Sequence, residues 1–205
     1  PCGRVTLTTG TPVTTADVTA ATSVYFSPFR GNQIATYSGS AWTLSTFTEK
    51  TLSLAGLTAN SNYDIFIVDS TLVLEALIWT NDTTRATAVV LQDGVYVKSG
   101  ATTRRYLGTI RITGTTGQTE DSLLKRYVFN YYNQVERNLR AVDTTNSGTY
   151  ATATWRQANA ATANKVEYVC GLSETPVKAD VQCTMLVVTA QGGEGTVGVG
   201  IDSTS

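Results

Sequence analysis

Histidine is absent from the 205-residue chain. Its absence removes the commonest general base and the commonest zinc ligand together. It also excludes a Ser-His-Asp triad and a Cys-His pair. Cysteine is scarce: Cys2, Cys170 and Cys183 are too few for a disulfide scaffold and lack CxxC spacing. Cys170 and Cys183 flank a loop, so they either face each other across a hairpin or stay as buried thiols. Charged residues are only 15% of the chain, where about a quarter is usual. A surface so short of charge suits coverage by other subunits. The net charge of -1 gives no electrostatic reason to expect nucleic acid or an anionic membrane as partner. No apolar run approaches the ~20 residues of a spanning helix, and no basic start followed by an apolar stretch marks a signal peptide. A chain opening at Pro1 is what remains when an initiator Met is trimmed, so a full-length, unsecreted product is expected.

What is abundant is threonine and valine, which suit pleated, half-exposed strands. RVTLT at 4–8 alternates as a strand, and SVYF at 23–26 is a second, stopped by Ser27-Pro28. QIATYS and AWTLSTF, joined through Ser38-Gly39-Ser40, form a hairpin. TLSLAGL at 51–57 alternates again. YDIFIVDS at 63–70 has apolar residues on both faces, the mark of a central strand. TLVLEALIWT fits either a strand pair or a short helix. Asp93-Gly94 is a hairpin turn, and RRYLGTIRITG at 104–114 is a strand in which Gly108 marks a bulge or a close backbone approach. Further strands are expected at 149–157, 165–172 and 181–190, and in the Gly/Val tail.

One stretch breaks this pattern. In TEDSLLKRYVFNYYNQVERNLR, residues 119–140, Leu124, Val128, Tyr131 and Val135 fall at helical spacing, widened by Leu123 and Tyr127. Thr119 stands as N-cap, Glu120 and Asp121 occupy the first turn, and Arg137 and Arg140 the last. The expected fold is therefore mainly β, with sandwich- or barrel-like strands and one long amphipathic helix over about 119–140 covering a sheet. That helix packs either within its own subunit or against a symmetry axis. Residues 1–70 are expected to form an N-terminal β module and 71–205 a second β module carrying the helix.

No sequence motif supplies chemistry. Walker and EF-hand spacings are missing, and the Gly-x-Gly runs near 192–200 lie in a strand-like tail rather than before a helix. Catalytic residues, cofactors and metals are accordingly expected to be none. Glycoside hydrolysis needs only two carboxylates, for which Asp64, Asp69, Glu75, Asp82, Glu120 and Asp121 are available, but nothing pairs them. Trp42, Trp79 and Trp155 read as core residues; Trp42, beside the Ser38–Ser40 turn, is the best of them for stacking on a sugar or on a subunit. Arg104-Arg105 and Lys125-Arg126 are short basic pairs suited to a solvated edge or an intersubunit salt bridge. Tyr132 falls on the flank of the helical stripe. Trp42, Arg104, Arg105, Lys125 and Tyr132 are thus the candidate surface and assembly contacts.

Several segments together resemble a family of tailed-phage and prophage virion proteins, described as tail-fibre-like or hypothetical. They are RVTLTTGTPVTTADVTAATSVYFSPFRGNQI with YSGSAW, DGVYVKSGATTRRYLGTIRITGTTGQTEDSLLKRYVFNYYNQVERNLR, TATWRQAN and VGIDSTS. The resemblance implies a β-rich virion component in several copies, a trimer by analogy, assembled in the host cytoplasm with other tail or capsid proteins. It carries over no functional residue. A tail-fibre or tail-tip part serving assembly and host attachment, with a host surface glycan as a ligand, is the first functional expectation. A capsid decoration protein is the alternative, and a glycan-degrading enzyme a distant third.

Overall fold

The computed structural model describes residues 1–145, 156–157, 160–173, 176–180 and 200. The chain divides into two compact units, Pro1–Gly171 and Leu172–Ser205. The described residues of the second unit are turn and irregular chain, with an exposed Lys178–Asp180 ion pair at 3.4 Å.

Alternating sequence becomes strand wherever one face can be buried. A three-stranded antiparallel sheet is built from β1 (Gly3–Thr6), β3 (Ser23–Pro28) and β6 (Lys50–Ser53), in the order β1-β3-β6. β2 (Val18–Ala21) lies between the first two in sequence and joins another sheet. The hairpin expected around Ser38-Gly39-Ser40 is β4 (Gln33–Tyr37) paired with β5 (Trp42–Thr46). β7 (Asn62–Val68) is buried along nearly its whole length, as a strand apolar on both faces must be. It pairs with β8 (Leu74–Ile78), which resolves the ambiguous TLVLEALIWT stretch as strand. β9 (Val89–Gln92) and β10 (Val95–Lys98) close on Asp93-Gly94, with φ of 51° and 79°, the left-handed pair a two-residue hairpin turn demands.

β11 (Ala101–Arg111) is the spine. β7 runs along one of its edges; β10 takes the first part of the other edge and β14 (Val128–Asn130) the second. The register slips between Tyr106 and Gly108, and a Cβ on Gly108 would collide with the Phe129 carbonyl. Gly108 is therefore both the bulge and the close approach. The three-stranded sheet and the face of β7 and β11 opposite it share one core. Val5, Val24, Phe26 and Leu54 meet Ile65, Ile67, Leu107 and Ile110, with Ile34 of β4 closing one end. Phe26 stacks on Phe47 at 4.8 Å.

The expected helix over 119–140 is not there. The segment forms β12 (Thr119–Asp121), β13 (Lys125–Arg126) and β14, followed by irregular chain, and no long helix occurs among the described residues. A period of two overrides the period of 3.6. Thr119, Asp121, Tyr127 and Phe129 are buried, while Leu123 and Leu124, placed on or beside the helical stripe, are 41% and 46% exposed at the β12–β13 turn. The backbone groups a helix would pair locally go to neighbouring strands. β14 pairs with β11, Arg111 N–H donates to Tyr127 O at 3.0 Å, and β12 pairs with β2. Glu120 and Asp121, placed for a helix dipole, instead meet Lys125 and Arg126 across the hairpin. The core face is covered by the β1-β3-β6 sheet rather than by a helix.

The division expected at residue 70 falls between β7 and β8, strands that pair with each other. β15 (Glu167–Tyr168) joins β13 in parallel, where a strand over 165–172 was expected. Residues 181–190, Trp155, Cys183 and almost all of the expected strands at 149–157 and in the Gly/Val tail lie outside the described residues. Cys2 is a half-buried free thiol.

Candidate functional site

Strand alternation sends Arg104 and Arg105 to opposite faces of β11. Arg104 reaches Glu75 at 2.6 Å, with Lys98 at 3.8 Å from the same carboxylate, so its partner lies within the chain. Arg105 points the other way, to the end of the core capped by the β4–β5 hairpin. There its Nη1 donates to the Ala35 carbonyl at 2.5 Å. Its guanidinium lies 4.8 Å from the Tyr132 ring centre and 5.8 Å from that of Trp42. Three of the five candidate contacts, Trp42, Arg105 and Tyr132, therefore converge on one place. Arg104 does not belong to it, and neither does Lys125, which pairs with Glu120 at 3.2 Å and lies over Tyr127.

Trp42, Arg105, Asp93, Leu44, Val95 and Gln33 line an open cleft of about 490 Å³. Trp42 starts β5 and is half-buried; its ring packs at 5.3 Å, tilted, against Tyr37 across the hairpin. The indole Nε1–H donates to Asp93 Oδ2 at 3.0 Å, which ties the β4–β5 hairpin to the β9–β10 turn. Gln92 donates to the same carboxylate, and these two hydrogen bonds hold Asp93 below the usual aspartate range. Asp93 is legible in the sequence only as a turn residue. The indole-to-carboxylate bond spans 51 positions, and no local spacing announces it.

Arg105 is 6% exposed, and no carboxylate lies within ion-pair distance of it among the described residues. Among the described residues its Nε–H is buried without an acceptor, and the Tyr132 hydroxyl is buried without a partner beside it. An unpaired guanidinium at this depth is costly, because burial strips its hydration. The rings of Trp42 and Tyr132 offset part of that cost through cation–π attraction.

The carboxylates available for acid–base work are committed elsewhere. Asp64 pairs with Arg85 at 2.7 Å, Asp82 with Arg111 at 2.6 Å, and Asp121 with Arg126 and Arg137 at 2.9 and 3.2 Å. Asp69 accepts from the Thr36 hydroxyl at 2.6 Å. Asp64 is the deepest of them, 2% exposed beneath Tyr106 and Thr109. Burial pushes its carboxyl above the usual range even against the opposing pull of Arg85 and Thr109. The same burial pushes the Tyr106 phenol up. Among the described residues no three His, Cys, Asp or Glu side chains gather to hold a metal, and no helix is long and apolar enough to cross a membrane. Compared with protein-family models, with curated proteins and with solved structures, the chain shows no match.

Proposed function

We propose that this chain is a structural component of a phage particle, placed at the tail fibre or tail tip, where it serves assembly and attachment to the host. The observation that carries the reading is the Trp42 cleft. It presents a half-buried indole, fixed by Asp93, at the mouth of an open depression on a rigid β unit. Such a surface recognises the face of a sugar or a neighbouring chain. Two sheets sharing one core fit a sandwich-like module suited to a particle component, and a trimer remains the assembly expected by analogy.

Decoration of the capsid shell is the second reading, favoured by a different feature. Leu44 on β5 and Leu91 on β9 are 62% and 59% exposed, and both strands are sheet edges with backbone groups open to a neighbouring chain. Glycan cleavage has the least support, since the available carboxylates already serve cations and hydroxyls. The test is to locate the chain in a reconstruction of the particle. Density in few copies at the tail is the expected result. Density over the whole shell would transfer the chain to the second reading, and absence from the particle would overturn both.

A further inference from the structure

We propose that Arg105 is the anchor for the carboxylate of an acidic saccharide, a uronic-acid type of sugar, bound in the Trp42 cleft; this rests on the attachment reading above and names its ligand class. The argument begins with an imbalance. Arg105 is more than nine-tenths buried and has no carboxylate partner among the described residues. Among the described residues Nη1 donates to the Ala35 carbonyl, while the buried Nε–H has no acceptor. The fork of an arginine is shaped for two parallel bonds to a carboxylate, and such charge-assisted bonds are the strong ones. Arg105 lines the open cleft, and a guanidinium without a carboxylate partner there presents a site for an anion.

The rest of the cleft narrows the class. Trp42 offers an aromatic face for the apolar side of a pyranose ring. Asp93, exposed and held ionised by Gln92 and Trp42, is an acceptor for sugar hydroxyls. Arg105, the Asp93 acceptor and the Trp42 plane, with the Pro1 amino group also lining the cleft, match a ligand that is anionic, hydroxylated and ring-shaped. An acidic side chain from another virion protein satisfies Arg105 but brings no hydroxyl to Asp93.

The full chain is titrated by calorimetry with a glucuronic-acid-containing disaccharide, and with the same disaccharide after reduction of its carboxyl to the alcohol. A glutamate-rich peptide and inorganic phosphate form two further arms. Binding of the acid form, weakened about tenfold to hundredfold in Arg105→Gln and in Trp42→Ala, is the expected result. The half-buried Trp42 can be changed without opening the core, so that variant remains informative should Arg105→Gln fail to fold. Equal binding of acid and alcohol overturns the carboxylate anchor. Preference for the peptide or for phosphate overturns the saccharide, and no binding in any arm overturns the site. A chain located at the tail that binds no saccharide defeats this inference alone. A chain located on the shell defeats the attachment reading whatever it binds.

Discussion

The side chain of Asn130 pairs with the backbone of Val5 as a strand would. Val5 N–H donates to Asn130 Oδ1 at 2.7 Å, and Asn130 Nδ2 donates to the Val5 carbonyl at 2.9 Å. One amide thereby joins β14, in the six-stranded sheet, to β1, in the three-stranded one. Val5 is 2% exposed, so both backbone groups are buried. Asn130→Ala leaves a donor and an acceptor unsatisfied at about 1–3 kcal/mol each, so a loss of about 2–6 kcal/mol is expected in urea unfolding. Asn130→Asp keeps the acceptor but loses the donor and sets a buried carboxylate against the Val5 carbonyl, so near pH 7 it should cost at least as much as Asn130→Ala. A loss well below that of Asn130→Ala would show that the Val5 N–H bond alone carries the junction.

Gly108 is fixed by contact rather than by turn geometry. A Cβ there would overlap the Phe129 carbonyl, which is backbone and has no rotamer to escape into. Gly108→Ala should therefore separate β14 from β11 and cost about 3 kcal/mol or more. Gly94→Ala is the useful contrast. Nothing lies within 4 Å of its added Cβ, and only the φ of 79° opposes it, a cost of about 1–2 kcal/mol. Paired thermal unfolding of the two variants reads the difference.

Much of the β architecture is legible in the sequence, because alternation and turn chemistry are local signals. The hairpins at Ser38–Ser40 and Asp93-Gly94, the central strand β7 and the bulge at Gly108 all stand where residue pattern places them. The 119–140 segment is not legible, because it carries two periods at once. Its helical stripe of Leu124, Val128, Tyr131 and Val135 competes with the alternation of Thr119, Asp121, Tyr127 and Phe129. Only the second matches a sheet edge already waiting on β11. A long-range partner decides, and no local window contains it. The cleft is half legible for the same reason. Trp42, Arg105 and Tyr132 stand out by residue type, whereas their meeting depends on β11 alternation and on Asp93 from a distant turn.

That competition yields a direct measurement. In a helix, Leu124 belongs to the buried stripe and Leu124→Asp would be ruinous. At the β12–β13 turn its side chain is nearly half exposed, so the same change should stay within about 0.5 kcal/mol. Phe129 is 8% exposed, and Phe129→Ala should cost about 3–5 kcal/mol. A severe loss from Leu124→Asp in denaturant unfolding would restore the helix.

The buried pair Asp64–Arg85 makes the last prediction, one with a pH signature. Arg85 is the cation that keeps Asp64 charged beneath Tyr106 and Thr109. Arg85→Met removes it and strands a buried carboxylate, at about 3–5 kcal/mol near pH 7. Burial already raises the Asp64 carboxyl above its ordinary value of 3.8, and loss of Arg85 raises it further. The sign follows from proton binding. A folded carboxyl with a raised pKa holds its proton more tightly than the unfolded one, so acidification through that raised value favours the fold. The gap between Arg85→Met and the parent chain should therefore narrow as pH falls from neutrality toward the ordinary aspartate range. Asp64→Asn in the Arg85→Met background should remove most of this pH dependence. Urea midpoints of the parent and both variants across that range provide the check. A gap that stays constant with pH would show that Asp64 is not the group left stranded.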